Sequence, residues 1–498
     1  MSASNECTSG SRVGIKLVRQ IQMFSPEHLG LLIRHAGLAI LAVALATSSL
    51  TFNWVIEHRV ELNFFPEFGG GVVYLSDIFV FAGLAVWTVG WYLSPSQGLR
   101  FGPWAVTVPL AVLVILSVLS LGWATNEPVA VYTVFRRVVL FAMYVVLVTE
   151  SSRALRPMLF TLFAIGAIQA CVAVAQVVGG SAVGLSQLGE LTENYLGYDS
   201  IGVPRAYGLG FNPNPVGMFM AVVSVLAYGS FLLKLGNQWS KGLALLIFIM
   251  GFFGLVATAS RSAFLGWALS VTALSLLAWL GGNDVRQTVL KRIGLASLLI
   301  GVIELGIHLV PTEGSAAQPA LGVTEVSNAP STSVERITKR MTPVELGSGI
   351  SGRIADWNLA RPIVKEHLVL GVGVGNYPLT LNARLGAGIP GGIFTPPHNV
   401  AILVLAELGI LGLVAWGALA LAPLVWVLAR RQVQWFEIHS LLWFGPLVVV
   451  LFVSLWDFTP WVTQDGRVLL WGILGLWAGG ISRSLSIRQE NQGMALER

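Results

Sequence analysis

Long apolar runs broken by short polar stretches set the rhythm of this chain from residue 37 onward. A helix needs about 20 mostly apolar residues to cross a bilayer. Such runs fall at 37–55, 72–93, 103–122, 129–149, 157–179, 216–233, 240–258, 262–280, 291–310, 397–427, 436–456 and 464–482. The pattern predicts an all-α polytopic membrane protein with about twelve transmembrane helices. Residues 21–34 (IQMFSPEHLGLLIR) read either as an amphipathic segment in the interface or as an extension of the first helix. The residues before the first run are polar or mixed and offer no small-residue cleavage site, so an uncleaved anchor is expected.

Two polar connections are long, 180–215 between spans five and six and 311–396 between spans nine and ten. They divide the chain into an N-terminus (1–35) that is cytoplasmic or interfacial, spans one to nine (36–310), a large loop (311–396), spans ten to twelve (397–482) and a tail (483–498). The large loop opens with PTEGSAAQPALGVTEVSNAPSTS, a composition that suits a flexible connection. In SGRIADWNLARPIVKEH, Ser351 or a neighbour is placed to cap a helix, and Ile354, Trp357 and Ile363 recur near helical spacing. Pro362 is placed to kink or divide that helix. A small helical subdomain outside the membrane is expected here. GVGVGNYP at 371–378 lacks the preceding strand and the full spacing of a dinucleotide fingerprint, and reads as a turn.

Composition strengthens the membrane assignment. Of 498 residues 55% are hydrophobic and 11% charged, where soluble domains carry roughly a quarter charged, and the mean hydropathy is +0.74. Alternate short loops carry Arg100, then Arg153 and Arg156, Lys234 and Lys241, Arg286, Lys291 and Arg292, and Arg430 and Arg431. The positive-inside rule makes those loops cytoplasmic. Lys16, Arg19 and Arg34 at one end and Arg483 and Arg488 at the other put both termini on the same side. The two long loops then face outward. The net charge of +5 is met by anionic lipid headgroups, and no nucleic-acid partner is expected. Cys7 and Cys171 are held apart by this topology, so neither a disulfide nor a cysteine metal site is expected.

A set of arginines breaks the charge rule. Arg136 and Arg137, Arg205, Arg261 and Arg467 all map to the outer ends of their spans. A charge at a helix centre costs roughly 2.5–3.5 kcal/mol on insertion scales, and less near the interface. Any one of them also fits snorkelling to headgroups or pairing with Asp77, Asp457 or Asp465. Together they point to an anion. Even-numbered spans start on the outer side, so the positive ends of their dipoles reinforce that preference. Arg205 lies just ahead of NPNP, where Asn214 is placed as a cap and Pro215 as the first helical residue. Guanidinium forks hold diphosphates well, and an apolar surround excludes competing water. A membrane-anchored diphosphate fits. His398, in PPHN, is placed by proline at the entrance of span ten beside the large loop. It reads either as an interfacial histidine or as a base for an acceptor hydroxyl. No carboxylate or histidine cluster with metal spacing occurs in the outward loops, so neither a metal nor another cofactor is expected.

At these residues the chain resembles the superfamily of O-antigen ligases and O-antigen polymerases, the ligases of lipopolysaccharide assembly in particular. The likeness rests on RSAFL (Arg261, Leu265), on a histidine followed by ten residues and a glycine (His398, Gly409), and on RAYGLGFNPN, SGRIADWNLA and GVGVGNYP. It covers roughly residues 200–410 and elsewhere extends only to architecture. The resemblance implies a metal-independent, inverting GT-C-type glycosyltransferase of a bacterial inner membrane, with its active site at the periplasmic face. The donor would be O-antigen on undecaprenyl pyrophosphate and the acceptor the lipid A–core oligosaccharide. Arg205 and Arg261 would hold the diphosphate, His398 would activate the acceptor, and Arg353 would support donor or acceptor binding. Arg136 and Arg137 are assigned, from topology, to attracting diphosphate or core phosphate. An O-antigen polymerase, a protein O-oligosaccharyltransferase and a lipid-linked glycan flippase are the alternatives.

Overall fold

The first apolar run folds as helix α1 (Pro26–Thr47), which starts on a proline where the missing N–H costs nothing. Residues 26–34 thus extend the first helix. Hydroxyls close its far end, Ser48 Oγ donating to the Leu45 carbonyl at 2.8 Å and Ser49 Oγ to that of Ala46 at 3.2 Å. The predicted span to residue 55 is therefore too long, and not every element is helical. Strand β1 (Asn53–His58) pairs antiparallel with β2 (Gly70–Tyr74). TFNWVI is rich in β-branched and aromatic residues, and a short apolar run does not by itself separate strand from helix.

The chain continues as α2 (Leu75–Leu93), α3 (Trp104–Leu119) with a 3-10 turn at Ser120–Gly122, α4 (Glu127–Thr149) and α5 (Ser151–Gly179). A minimal ladder of β3 (Gly197–Tyr198) and β4 (Pro204–Arg205) precedes α6 (Pro213–Leu232), α7 (Gln238–Thr258), α8 (Arg261–Leu280) and α9 (290–300). Then come α10 (Pro343–Glu366), α11 (Tyr377–Leu385), α12 (Val400–Ala429), α13 (Ile438–Ser454), the single turn α14 (Thr459–Val462) and α15 (Gln464–Leu496). This computed structural model describes residues 26–58, 70–95, 98–191, 197–198, 204–233, 235–280, 290–300, 343–385, 395–429 and 438–496. The stretch 311–333, the second half of predicted span nine and the loop residues Lys234, Arg286, Arg430 and Arg431 lie outside the described residues. Ten of the described helical segments are long and apolar enough to cross a membrane. The predicted eleventh span is α13, apolar but shorter, and the ninth is described only over 290–300.

Helices α1 and α2 meet along their lengths through glycines. A Cβ at Gly37 would fall 2.6 Å from the Trp87 nitrogen, and one at Gly90 would fall 2.6 Å from the Arg34 nitrogen. Close backbone approach of this kind drives helix association where lipid removes the hydrophobic incentive. At the end of that pair, fully buried Arg34 pairs with Glu150, the residue between α4 and α5, and donates to the Ser94 carbonyl at 3.2 Å. Helix α6 is the axis of the bundle, packed on α5, α7, α8 and α13. Every residue of it except Asn214 is buried, which suits a helix apolar on all faces.

Helix α10 begins at Pro343, ahead of the expected cap near Ser351, and runs through Pro362 undivided. The glycine-rich turn that follows docks into a break in α12. Gly409 has φ 68° and ψ −164°, a region essentially restricted to glycine, so the ladder of α12 opens there. The freed carbonyls find new donors: Val372 N–H gives to Ala406 O at 2.9 Å and Gly373 N–H to Glu407 O at 3.0 Å. In return Ile410 N–H donates to Leu368 O at 2.9 Å. A Cβ at Gly409 would run into the Val369 carbonyl. Gly409→Ala is expected to destabilise the protein by about 1–3 kcal/mol from backbone strain. Thermal unfolding in detergent checks this, and an unchanged Tm would remove the assigned role.

Candidate active site

His398 sits one residue before the cap of α12. Asn399 is that cap, its Oδ1 accepting from Ile402 N–H at 3.0 Å while its Nδ2 donates to the Leu455 carbonyl at 3.0 Å. The cap therefore ties the start of α12 to the end of α13. The imidazole Nδ1 lies 2.8 Å from Asp356 Oδ2 on α10. A carboxylate only accepts, so Nδ1 carries a proton toward Asp356, and in the neutral imidazole the Nε2 lone pair is the one left for a substrate. This is the arrangement of an oriented general base.

The arginines gather beside it. Arg205, on β4, donates from Nη2 to Asn214 Oδ1 at 2.6 Å and from Nε to the Thr258 carbonyl at 3.2 Å. Asn214 is free for this because Asn212 is the cap of α6, accepting the Asn214 N–H at 2.9 Å, with Pro213 in the first turn. The cap thus falls one Asn-Pro pair earlier than expected. Asn214 Nδ2 donates in turn to Asp457 Oδ2 at 3.0 Å. Arg261 opens α8 directly after a tight turn in which Ala259 has φ 51°, the only positive φ outside glycine among the described residues. Its guanidinium lies against Gly349 of α10. One turn on, Arg353 donates to the Gly349 carbonyl at 3.1 Å and to the Trp456 carbonyl at 2.8 Å. Burial draws Arg353 below its usual pKa; Asp457 opposes that, Arg261 adds to it and Asp356 opposes it. Arg205, Arg353 and His398 are thus joined through Asn214, Asp457 and Asp356, and Arg261 stands beside Arg353 against Gly349.

The loop that carries Arg205 is itself anchored. The Glu190 carboxylate accepts the Gln176 amide at 2.8 Å and the N–H groups of Val183 at 2.7 Å and Leu185 at 2.6 Å. Burial disfavours its charge, but these bonds outweigh burial and hold the pKa below the usual carboxylate value. A cavity of about 340 Å³ opens beside His398, walled by the end of α1, by Phe211 and Asn214, and by residues 457–465. It falls at the small end of the roughly 300–1,000 Å³ typical of ligand pockets.

Arg136 and Arg137 are engaged elsewhere. Arg136 pairs with Asp77 and lies over the rings of Tyr132 and Tyr74, at 4.7 and 5.2 Å. Arg137 donates to Ser117 Oγ at 2.6 Å, stands 3.8 Å from Glu407 and stacks 4.1 Å over Trp461. Arg467 donates to Gln464 Oε1 at 3.2 Å. The pairing with Asp77, weighed above for a single arginine, is what Arg136 does. Replacing Arg136 by alanine leaves the partly buried Asp77 with the Tyr74 N–H at 3.0 Å and the Gln464 amide at 2.7 Å but no opposite charge, a loss below the roughly 3–5 kcal/mol of breaking a fully buried pair. The variant is expected to lose thermal stability while the folded fraction keeps its substrate KM; a raised KM with unchanged Tm would return Arg136 to the site.

Asp356 escaped the sequence reading, while Asn214 entered it only as a helix cap and Asp457 only as one possible partner of an arginine. Asp356 had a legible signal, since it follows Arg353 by three residues and so shares its helix face. Which groups Asp457 meets had no such signal, because its partners come from α6 and α10, far away in the chain.

Residues 245–417 match the sequence model of a family described as O-antigen ligase. The matched segment takes in Arg261, Arg353, Asp356, His398 and Gly409, and leaves Arg205, Asn214 and Asp457 outside it. No curated protein matches the chain.

Proposed function

We propose, from the match of residues 245–417 to the O-antigen ligase family, that this chain transfers a glycan from a lipid-linked diphosphate to an acceptor hydroxyl. The finer reading is a ligase that moves O-antigen from undecaprenyl pyrophosphate to lipid A–core at the periplasmic face, on a GT-C-type scaffold. One observation carries it: a histidine oriented by a carboxylate, beside three arginines and at the edge of a cavity. In the transfer, His398 Nε2 takes the proton of the acceptor hydroxyl as its oxygen bonds to the anomeric carbon. The bond from that carbon to the diphosphate oxygen breaks, and its electron pair leaves with the lipid pyrophosphate. Arg205 and Arg261 stabilise the charge that grows there. Asp356 steadies the imidazolium until the proton is lost. A single displacement inverts the anomeric centre.

The test is a host deletion complemented with wild type, Arg261→Ala or His398→Ala, followed by gel analysis of lipopolysaccharide and lipid-linked glycan. A ligase deletion leaves uncapped lipid A–core while polymeric donor accumulates, and only wild type restores the cap. Single-repeat caps in the deletion would make the protein a polymerase instead.

A further inference from the structure

The cavity beside His398 differs in chemistry from the arginine cluster it adjoins. Among the described residues its lining holds two aspartates, Asp457 and Asp465, and neither lysine nor arginine. Several of its hydroxyls spend their hydrogens inward. Ser48 Oγ donates to Leu45 O at 2.8 Å and Thr51 Oγ1 to Gly189 O at 2.6 Å. Thr459 Oγ1 donates to Asp457 Oδ1 at 2.6 Å. What such groups have left for a ligand is acceptor capacity. Phe211 and Tyr74 add ring surface to the same wall.

Two carboxylates and inward-turned hydroxyls, set among the amides of Asn53, Asn212, Asn214 and Gln464 and flanked by aromatic rings, suit a ligand with many O–H groups and an apolar C–H face. The two carboxylates repel phosphate and carboxylate ligands. We infer that this cavity is the acceptor subsite and that it takes a neutral sugar ring, unphosphorylated at the unit that receives the glycan. The inference rests on the transfer reading above. His398 lines the cavity while Arg205, Arg261 and Arg353 do not, so the diphosphate and the accepting sugar approach the base from different sides. Ser48, Thr51, Asp457 and Asp465 all lie outside residues 245–417, which assigns acceptor choice to parts of the chain outside the family segment.

The experiment uses the full chain in lipid nanodiscs with a lipid-linked oligosaccharide donor. Two glycolipid acceptors differ only in whether the terminal sugar is neutral or phosphorylated. Transfer by wild type to either acceptor tests the function itself; if neither is used, that reading fails before the subsite is reached. Given transfer, wild type should favour the neutral acceptor. Asp465→Asn should raise the KM for it about tenfold, the loss from one hydrogen bond to a charged group, and leave the donor KM unchanged. The same variant should narrow the preference for neutral over phosphorylated acceptor. That ratio is read within one preparation, so partial misfolding does not imitate it. Phe211→Ala should raise the acceptor KM without altering the ratio. A shift confined to the donor KM would place the donor sugar in this cavity, and no shift in either KM or the ratio would remove the subsite.

Discussion

Glycan transfer by His398→Ala is expected to fall about 10²–10⁴-fold, the usual worth of a positioned general base. The loss should sit in kcat, because a general base acts on a proton that moves only as the new bond forms. Asp356→Ala should fall between wild type and His398→Ala, since Nδ1 loses the carboxylate 2.8 Å away that fixes its tautomer while Nε2 remains. Initial rates with purified protein, normalised to folded material, check both. Activity of His398→Ala within a fewfold of wild type would sink the base assignment.

The second large effect belongs to the arginines. Arg261→Ala is expected to lower kcat about 10²–10³-fold, in line with removing one donor from a developing oxyanion. Arg261→Lys should recover little, because an ammonium cannot reproduce the guanidinium fork. Arg353→Ala should cost less, since its Nε and Nη1 already serve the Trp456 and Gly349 carbonyls. Equal losses at Arg261 and Arg353 would argue for a shared structural role instead.

Apolar runs predicted most spans to within a few residues because a bilayer admits few alternatives for the backbone. The errors cluster where that constraint lapses. The run through 48–55 leaves the helix once its serines bond back to the previous turn, and its strand partner lies beyond a gap in the apolar pattern. Pro362 was placed to kink or divide α10, and the helix runs on through it, with Ala360 and Ile363 buried on either side. Residue type and topology singled out Arg205, Arg261 and His398 in the sequence, the family resemblance added Arg353, and folding brings these four near one another. Asp457 is one aspartate among several, and only folding brings it to Asn214. Arg136 and Arg137 carried the same sequence signal as Arg261, but Asp77 and Glu407 stand beside them.

The broken helix gives the spacing between His398 and Gly409 a meaning of its own. Docking of Val372 and Gly373 onto Ala406 and Glu407 pins the first segment of α12 just before its break at Gly409, and the cap at Asn399 pins that segment at its start. Between those points the helix behaves as a ruler with a fixed phase. One alanine inserted there would rotate everything upstream by about 100° at 3.6 residues per turn, swinging the imidazole off Asp356 while every original side chain remained present.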